Sequence, residues 1–388
     1  MLVIHVSPYF APAFRYGGPP HSILGLCQAL LRAGIDVEVF TTTANGADPL
    51  PAAPEGAWHD GVPVRYFPLS FPKRYWRAAG LHDAATAAAA HADFVHVHGV
   101  WNFTGWAGVR AARRAGAPYA ISPRGMLHPA AMARHRASKA VAFAMLERTH
   151  LRGAAFLHAT SADEARVLGS FGPPVVTVPN GVTSVTVTDE DIQRVRGTAG
   201  LPPTAAVVLF LGRIHPIKRL DLVADAFIRL RRVQPDACLV IAGPDEGGHR
   251  RHVEPLFGPV ADAVRWIGAI DGIDKWAWLR ASRALVQCSD SESFGMSVAE
   301  ALSAGVPVVA SDRGPWSELQ AEGCALVVPH AAEAIARALE RVLRDPDEAQ
   351  RVGRRARVWA VRRFGWDEIA QTMIHAYEDA LARTRSAA

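Results

Sequence analysis

Cysteine is scarce in this sequence, and long apolar runs are missing. The 388 residues include four cysteines, and no two of them form a C-x-x-C pair: Cys27, Cys238, Cys288 and Cys324. This spacing excludes a disulfide framework and a zinc site built on cysteine pairs, and it favours a reducing compartment. No stretch reaches the roughly 18 uninterrupted apolar residues of a transmembrane helix, so we expect no such helix.

The N-terminus and the missing nucleotide-binding motifs exclude further classes of protein. The opening residues MLVIHVSPYF have no basic leader and no small-residue cleavage site, so we predict a buried strand there and not a signal peptide. Neither G-x-G-x-x-G nor G-x-x-x-x-G-K-[ST] occurs, which weighs against NAD enzymes and P-loop ATPases. No helix-turn-helix, RNA-binding or zinc-finger signature occurs either, so we expect no nucleic-acid partner.

Positive charge is concentrated in the N-terminal half of the chain. Residues 1–186 carry 16 Lys and Arg against 10 Asp and Glu, although the whole chain has a net charge of only +5. Two segments that mix basic with apolar residues supply much of this excess, Lys73–Arg77 and Arg134–Arg152. Such segments could rest on an anionic membrane surface, and they could equally be solvated helix faces.

Short apolar runs alternate with helical patterns along the whole chain, which indicates βαβ units and parallel sheets. The first series of predicted strands comprises Leu2–Val6, Asp36–Thr41, Phe94–Val97, Tyr119–Ser122, Phe156–Ala159 and Val175–Val178. The second series comprises Val207–Leu211, Cys238–Ala242, Val264–Ile267, Ala284–Gln287, Val306–Ala310 and Ala325–Val328. We therefore predict an α/β fold with two Rossmann-like, doubly wound domains whose strand carboxyl ends face a central cleft.

The predicted domain boundaries follow from composition. Residues 1–186 form the first predicted domain and residues 187–365 the second. The segment Ser184–Gly200 is the predicted linker, because it is polar and ends in Gly and Pro. Residues 366–388 are predicted to form a last amphipathic helix that packs back toward the N-terminal domain.

Two carboxylates eight residues apart, Glu292 and Glu300, give the strongest local signal. They frame Phe294, Gly295 and Met296 between a predicted strand and a predicted helix. Gly295 would let the backbone approach a ligand closely, and the start of the helix would offer free N–H groups to an anion. The alternative is a helix with an acidic first turn, which the helix dipole favours in any case.

Two further loops at strand ends carry residues suited to a diphosphate. Arg213 and Lys218 are two cations on a short loop that contains Gly and Pro. Tyr16-Gly17-Gly18-Pro19 follows the first strand and opens a helix, so its glycine pair suggests close approach to a phosphate. The alternatives are surface charge for the first loop and a plain tight turn for the second.

Together, these motifs resemble those of the family-four retaining glycosyltransferases, which have the GT-B fold. Pro179-Asn180-Gly181-Val182 and Pro315-Trp316-Ser317-Glu318-Leu319 add to the resemblance, which covers nearly the whole chain in order. The segments Val97–Trp101 and Ser122–Leu127 are similar to those of the branch that builds bacterial surface polysaccharides. The resemblance implies that the first domain binds the acceptor and the second the nucleotide-sugar donor.

The resemblance also implies a role for each motif residue. Arg213 and Lys218 would bind the donor diphosphate and steady it as it leaves. Glu300 would hold the ribose hydroxyls, and Glu292 the hydroxyls of the donor sugar. Backbone contacts would come from Phe294, Gly295 and Met296, phosphate contacts from Gly17 and Gly18, and contacts to the base from the loop between Ile267 and Lys275.

One position departs from the family pattern. Many relatives have a histidine, close to the donor sugar or the attacking group, where this chain has Arg124. Either Arg124 takes over that role, or a nearby histidine does. His98 follows the third predicted strand and is the candidate for the second case, whereas His96, one strand step earlier on the same face, could equally be structural.

The implied activity is transfer of a hexose, with retention of configuration, from GDP-mannose or a UDP-hexose to a lipid-linked or growing glycan. The resemblance implies no cofactor and no metal, and a location in the bacterial cytoplasm, with contact to the inner face of the membrane as an addition. Asp189-Glu190-Asp191 has the D-x-D pattern of metal-dependent transferases of another fold, but we predict a helix N-terminal turn there. A nucleotide-sugar epimerase on the same fold and a non-catalytic glycan- or membrane-binding scaffold are the alternatives. The epimerase would need a pair of acid/base carboxylates in the first domain, where no convincing pair occurs.

Overall fold

The computed structural model describes residues 1–133 and 143–387. Their internal contacts divide the chain into two compact units. The N-terminal unit comprises Met1–Gly181 together with the last helix, Trp366–Ala387, and the C-terminal unit comprises Val182–Gly365. Among the described residues, no helix combines the length and apolar character needed to cross a bilayer.

Eight strands form the sheet of the N-terminal unit: β1 Leu2–Val6, β2 Asp36–Thr42, β3 Ala53–His59, β4 Val62–Phe67, β5 Phe94–His98, β6 Tyr119–Ser122, β7 Phe156–Ala159 and β8 Val175–Thr177. Their order is β3-β4-β2-β1-β5-β6-β7-β8, and only β3 and β4 pair antiparallel. Because β1 lies between β2 and β5, the winding direction reverses at β1, which makes the carboxyl ends of β1 and β5 the expected ligand edge.

Helices cover both faces of this sheet. Their bounds are Gly18–Arg32, Leu81–Ala89, Phe103–Ala115, Pro129–Ala133, Arg148–Arg152, Ala162–Leu168 and Trp366–Ala387, with a π-helical turn at Phe143–Glu147. The first and last helices pack on the face that carries Val3 and Phe94, while Leu81–Ala89 and Phe103–Ala115 pack on the opposite face. Because helices cover both faces, the inner strands of this sheet carry mostly apolar side chains on both sides.

The last helix is an integral part of the N-terminal core. Tyr377 is completely buried, and the Trp366 ring fills the space beside two glycines. A Cβ atom would lie 2.1 Å from the Trp366 ring at Gly25 and 2.3 Å from it at Gly181. Only glycine at both positions lets the first helix, the end of the first segment and the last helix approach this closely.

The C-terminal unit contains a six-stranded sheet in which every pair is parallel. Its strands are β9 Ala206–Leu211, β10 Ala237–Ala242, β11 Val264–Gly268, β12 Ala284–Gln287, β13 Val308–Ser311 and β14 Leu326–Val328. Their order is β11-β10-β9-β12-β13-β14, so the winding reverses at β9, between β10 and β12. The helices are Asp189–Thr198, Leu220–Arg231, Arg250–Val253, Gly272–Ala281, Met296–Ala304, Ser317–Ala321, Ala332–Arg344 and Pro346–Arg363.

Two strands were not predicted, and both lie at the edge of the N-terminal sheet. Ala53–His59 contains Pro and Gly, and Pro63 interrupts Val62–Phe67, so neither segment has the composition of a buried strand. The turn between them does carry a signal. Asp60 and Gly61 both have positive φ, 46° and 80°, as the Asp-Gly turn of a tight hairpin requires.

The predicted linker is wrong in its central part. Asp189–Thr198 is a helix of the C-terminal unit, and its Val195 is buried in that unit's core. The helix is polar because most of its surface faces solvent, which gives it the composition of a linker. Thr188 caps it, and Asp191 completes the capping box, so Asp189-Glu190-Asp191 forms the first helical turn as predicted. The contacts divide the units after Gly181 and not after residue 186.

Candidate active site

The carboxyl ends of β9 and β12 bring two predicted motifs together in the C-terminal unit. These strands are neighbours, with Leu209 opposite Leu285. The loop after β9 carries Lys218, and the loop after β12 carries Glu292. The loops are joined by a hydrogen bond of 2.9 Å from the Asp290 N–H to the Ile217 carbonyl oxygen. The site therefore lies where the winding of this sheet reverses, as expected for a doubly wound fold.

Glu292 is held by one of its two carboxylate oxygens. Oε1 accepts hydrogen bonds from Lys218 Nζ, from Gln287 Nε2 at 3.0 Å and from Ser289 Oγ at 2.9 Å. The Lys218 and Glu292 side chains are only 14% and 11% exposed. No described residue donates a hydrogen bond to Oε2. Three donors thus fix the carboxylate while one oxygen stays available to a ligand hydroxyl.

Glu300 has the same arrangement with a different lysine. Lys275 Nζ lies 2.9 Å from Glu300 Oε1 and 3.4 Å from Asp271 Oδ1. Burial raises the pKa of Glu300, and the charge of Lys275 opposes that rise. Within the described chain, Oε2 of Glu300 again has no hydrogen-bond partner. Both acids of the motif are therefore paired with a lysine through one oxygen, and the sequence did not indicate either pairing.

Arg213 has a different partner from Lys218. Its Nη1 donates to Glu246 Oε2, in the loop after β10, and both side chains are substantially exposed. An ion pair this exposed contributes little to stability, so Arg213 can exchange Glu246 for a ligand at small cost. The structure thus brings Lys218 to the acid motif, whereas it pairs Arg213 with Glu246.

A network that sequence reasoning missed connects the two loops. Arg219 donates to Asp290 Oδ1 at 2.9 Å and to Asp221 Oδ2 at 2.9 Å, and His330 Nε2 lies 3.3 Å from Asp290 Oδ1. Arg219 adopts φ 54°, a left-handed backbone conformation that non-glycine residues rarely adopt. Because Arg219 follows Lys218 directly, this network fixes the position from which Lys218 reaches Glu292.

The other predicted donor residues of this unit lie at the ends of a strand and a helix. Gly295 has φ 80°, and a Cβ there would lie 2.4 Å from the Trp316 ring. Phe294 packs edge-to-face on Phe364, with ring centroids 5.4 Å apart, and Met296 begins the helix Met296–Ala304. Ile267 lies in β11 and packs against the core. The side chains of Phe294 and Ile267 are therefore used for packing, which leaves their backbone for a ligand.

In the N-terminal unit, Gly17 and Gly18 open the first helix after β1. Gly17 has φ 82° and precedes Gly18, the first helical residue. Pro19 and Pro20 follow, and proline has no N–H. This helix start consequently offers fewer backbone donors to an anion than the glycine pair suggested.

A fully buried polar cluster lies under the carboxyl ends of β1, β5, β6 and β7. Its histidines share one face of the sheet: His5, His96, His98 and His158. Burial lowers the pKa of His5 to about 3 and that of His158 to about 4, and it lowers the pKa values of His96 and His98 well below 6.5. All four imidazoles are therefore neutral at physiological pH.

His158 and His96 belong to one series of hydrogen bonds. Its proton positions can be assigned by starting from the backbone carbonyl at one end. His158 Nε2 lies 2.8 Å from the Val178 carbonyl oxygen, which only accepts, so His158 Nδ1 accepts from the Ser122 hydroxyl at 2.6 Å. Ser122 Oγ in turn accepts from His96 Nε2 at 2.6 Å, and His96 Nδ1 accepts from the Tyr377 hydroxyl at 2.7 Å. Every group in this chain is satisfied, which gives His96 a structural role.

A metal ion does not fit this cluster. His5, His96 and His98 each offer a nitrogen within 4.8 Å of the others. Both nitrogens of His96, however, have hydrogen-bond partners, and His98 is bonded to His5 and to the cationic side chain of Arg124. A divalent ion would have to break these bonds next to a positive charge, so we assign no metal to these residues.

Both halves of the chain match families of glycosyltransferases. Residues 17–181 match the family model described as a glycosyl transferase 4-like domain, and residues 191–359 match glycosyl transferases group 1. The chain is 31% identical to a D-inositol 3-phosphate glycosyltransferase of Streptomyces griseus, over 99% of this chain and 89% of that protein. It is 30% identical to the protein of the same name from Kineococcus radiotolerans, over 98% of this chain and 95% of that protein.

Solved structures are similar over the full length. Sucrose-phosphate synthase from Thermosynechococcus elongatus aligns with a TM-score of 0.78 and 21% identity, over 99% of this chain and 100% of that one. Anabaena HepE in complex with UDP and glucose aligns with a TM-score of 0.73 and 19% identity, over 98% of this chain and 100% of that one. At these identities the similarity establishes the fold, which is GT-B as predicted.

Proposed function

Because the chain belongs to the family-four glycosyltransferases with the GT-B fold, we propose that it transfers a hexose from a nucleotide-diphosphate sugar to a glycan or lipid-linked acceptor. The proposal includes retention of the anomeric configuration and no requirement for a divalent metal. It also includes a role in bacterial surface-polysaccharide synthesis, in the cytoplasm.

One observation carries this proposal: the two lysine–glutamate pairs at the carboxyl edge of the C-terminal sheet. Lys218–Glu292 and Lys275–Glu300 each present a carboxylate with one oxygen fixed and the other without a partner among the described residues. Two such oxygens are suited to accept hydrogen bonds from vicinal hydroxyls of a ribose and a sugar. Lys218 keeps two N–H groups beyond the one given to Glu292, which suits it to bind a phosphate at the same time.

The chemistry assigned to these residues is stabilisation of the leaving group. When the glycosidic bond of the donor breaks, negative charge develops on the diphosphate, and fixed cations stabilise that charge most where water is excluded. Lys218 is 14% exposed and held in place, so it supplies such a charge, and Arg213 can join it by leaving Glu246. In a retaining reaction, the leaving phosphate would accept the proton of the acceptor hydroxyl on the same face of the sugar.

The comparisons rank the substrates that should be tried. HepE was solved with UDP and glucose, so a UDP-hexose is the first donor to test, followed by GDP-mannose. The curated relatives are named for D-inositol 3-phosphate, which makes a phosphorylated small alcohol the second acceptor class after glycans.

A thermal-shift screen tests donor binding. UDP, GDP, ADP and their sugars should be compared, and one of them should raise the melting temperature. A ligand at 100 times its dissociation constant adds about 2.7 kcal/mol of stability. Sugar nucleotide incubated without acceptor should stay unchanged, because production of an epimer would support the epimerase instead. Absence of a shift with every nucleotide at millimolar concentration would contradict the proposal.

We also propose peripheral contact with anionic membranes through the loop after β4. Phe71 is 85% exposed and Tyr75 is 45% exposed, next to Lys73 and Arg77. The other basic segment, from Arg134 to Arg152, lies in part outside the described residues. Insertion of an exposed aromatic ring beside two cations is the pattern of an interfacial anchor.

Vesicle sedimentation tests this contact. Phe71→Ser should weaken binding to vesicles containing phosphatidylglycerol about tenfold, because the ring no longer leaves water on insertion. Val233→Ser, which removes an exposed apolar residue of the C-terminal unit, serves as the matched control. Equal binding of the wild type to neutral and anionic vesicles, or no effect of Phe71→Ser, would contradict it.

A further inference from the structure

Arg124 emerges from the buried cluster as a cation without an acidic partner. It follows β6 with φ 52°, a left-handed conformation that costs a non-glycine residue energy and occurs often at functional sites. Nη1 donates to Ser22 Oγ at 2.9 Å and lies 3.4 Å from Asn180 Oδ1, while Nη2 lies 3.2 Å from His98 Nδ1. All three acceptors are neutral.

Glu164, whose charge acts on this guanidinium, does not form a direct ion pair with it. Glu164 is buried, and its Oε1 accepts the Gly125 N–H at 2.6 Å. Its Oε2 accepts the N–H and the hydroxyl of Thr160 at 2.8 and 2.7 Å. Glu164 therefore serves the backbone of the loop around Arg124, and no described carboxylate forms an ion pair with Arg124 itself.

The obligate donor character of arginine fixes the proton positions in the rest of the cluster. Because Arg124 can only donate, His98 Nδ1 must accept, and the proton of His98 is therefore on Nε2. His98 Nε2 lies 2.9 Å from His5 Nδ1 and donates to it, which leaves the His5 proton on Nε2. That last N–H is buried and has no acceptor among the described residues.

These hydrogen bonds decide which residue, Arg124 or His98, can take the role of the usual histidine. The only basic nitrogen of His98 is occupied by Arg124, and His98 is 1% exposed, so it can neither take a proton from a substrate nor touch one. Arg124 is less buried than His98, and one of its two Nη2 protons has no acceptor within the described chain. Burial lowers the pKa of Arg124 to about 10, which keeps it charged at neutral pH.

From this geometry we propose that Arg124 binds a phosphate oxygen of a substrate, and that His98 and His5 are positioning residues that hold its guanidinium. The proposal rests on the proposed glycosyltransferase function and adds the group that recognises an anion in the N-terminal unit. The hydrogen-bond acceptors of this guanidinium are all neutral, and the negative charge of Glu164 acts on it without a direct hydrogen bond. Phosphate would supply a directly bonded negative charge that matches the planar fork of donors. The phosphate could belong to the donor diphosphate or to a phosphorylated acceptor.

Titration of nucleotide and phosphate into Arg124 variants distinguishes these two sources. If the phosphate belongs to the donor, Arg124→Gln weakens UDP (or whichever nucleoside diphosphate binds the wild type) about 10- to 100-fold and leaves the parent nucleoside unchanged. If it belongs to the acceptor, nucleotide binding is unchanged, but stabilisation of the wild type by millimolar inorganic phosphate is lost in the variant. Arg124→Lys keeps the charge without the fork and should fall between wild type and Arg124→Gln.

Rescue by a conservative variant tests the positioning role of His98. His98→Gln retains a side-chain oxygen that can accept from Arg124, so it should keep anion affinity within about threefold of the wild type. His98→Leu retains no acceptor and should lose as much affinity as Arg124→Gln. Arg166→Gln, which removes an exposed arginine of the same unit, is the matched control and should change neither affinity.

Two results would overturn this inference. One is unchanged affinity for both nucleotide and phosphate in Arg124→Gln and Arg124→Lys. The other is equal loss in His98→Gln and His98→Leu, since a histidine that itself contacts substrate would not be replaced by glutamine. Failure of the wild type to bind any nucleotide would instead count against the glycosyltransferase proposal.

Discussion

Lys218→Ala and Glu292→Ala should each lower kcat/KM for sugar transfer by at least about 100-fold, with the protein still folded. In the proposed reaction Lys218 supplies a fixed charge where the diphosphate leaves, and loss of one preorganised group that stabilises developing charge costs about 10²- to 10³-fold in an enzyme where it was removed. Glu292 would hold the sugar through Oε2, because Lys218 is bonded to Oε1. The measurement is initial rate against donor concentration, with the melting temperature of each variant as the check on folding.

The double variant and a surface pair complete this experiment. Because Lys218 and Glu292 are bonded to each other, the loss in Lys218→Ala/Glu292→Ala should be much smaller than the product of the two single losses. Arg229→Ala removes an exposed ion pair with Asp225 of the same helix, Leu220–Arg231, and should leave turnover unchanged. Near-normal turnover in either single variant would show that the site has been placed wrongly.

The N-terminal unit should lose stability steeply between pH 6.5 and pH 4. Burial holds the pKa of His5 at about 3 and that of His158 at about 4, whereas both titrate near 6.5 in the unfolded chain. Between these values the unfolded state binds more protons than the folded state, so stability rises with pH and is fully present only above about 6.5. At pH 5 each of the two histidines costs about 2 kcal/mol, at roughly 1.4 kcal/mol per pH unit.

Hydrogen exchange followed by mass spectrometry can resolve this loss, because peptides of the two units are measured separately. His5→Gln and His158→Gln should each flatten the pH dependence of protection in the N-terminal unit by about one proton. His91→Gln changes an exposed histidine of the same unit and should leave the slope as it is. An equally steep slope in all three variants would mean that carboxylates, and not these histidines, cause the acid sensitivity.

The local sequence pattern was sufficient to predict the central strands, because burial on both faces determines their composition. A parallel strand covered on both faces is mostly apolar, and β1, β6, β7 and β12 were predicted with the bounds that the structure has. The edge strands β3 and β4 are covered less and include prolines, so apolar runs could not reveal them. The Asp60-Gly61 turn could have done so, since this dipeptide is a strong hairpin signal.

The site was predictable only as far as single loops are concerned. The spacing of Glu292 and Glu300 marked the acid loop, but which lysine each acid binds depends on strand order in space. β9 lies beside β12 although two strands separate them in the chain, and this neighbour relation brings Lys218 to Glu292. The same reason hid Gln287 and Ser289, which are ordinary polar residues until their common contact with Glu292 is seen.

The histidine cluster shows a further limit of sequence reasoning. His98, which follows the third predicted strand, was the candidate for the missing histidine, and His96 could equally be structural, whereas His5 had no signal beyond its place in a predicted strand. Their hydrogen bonds distinguish the two roles, because Nδ1 of His96 is bonded to Tyr377 and Nδ1 of His98 is bonded to Arg124. Tyr377 lies 281 residues beyond His96, and no local pattern connects positions so far apart.

The return of the last helix into the N-terminal unit has a consequence for biosynthesis. Tyr377 and Met373 complete the core around β1, yet they are synthesised after the whole of the internal unit. Proteins are synthesised from the N-terminus. The N-terminal unit must therefore wait for residues 366–387, by which time the internal unit already has all of its strands. A released chain truncated after Gly365 should therefore resist protease in its C-terminal unit and remain open to cleavage in its N-terminal one.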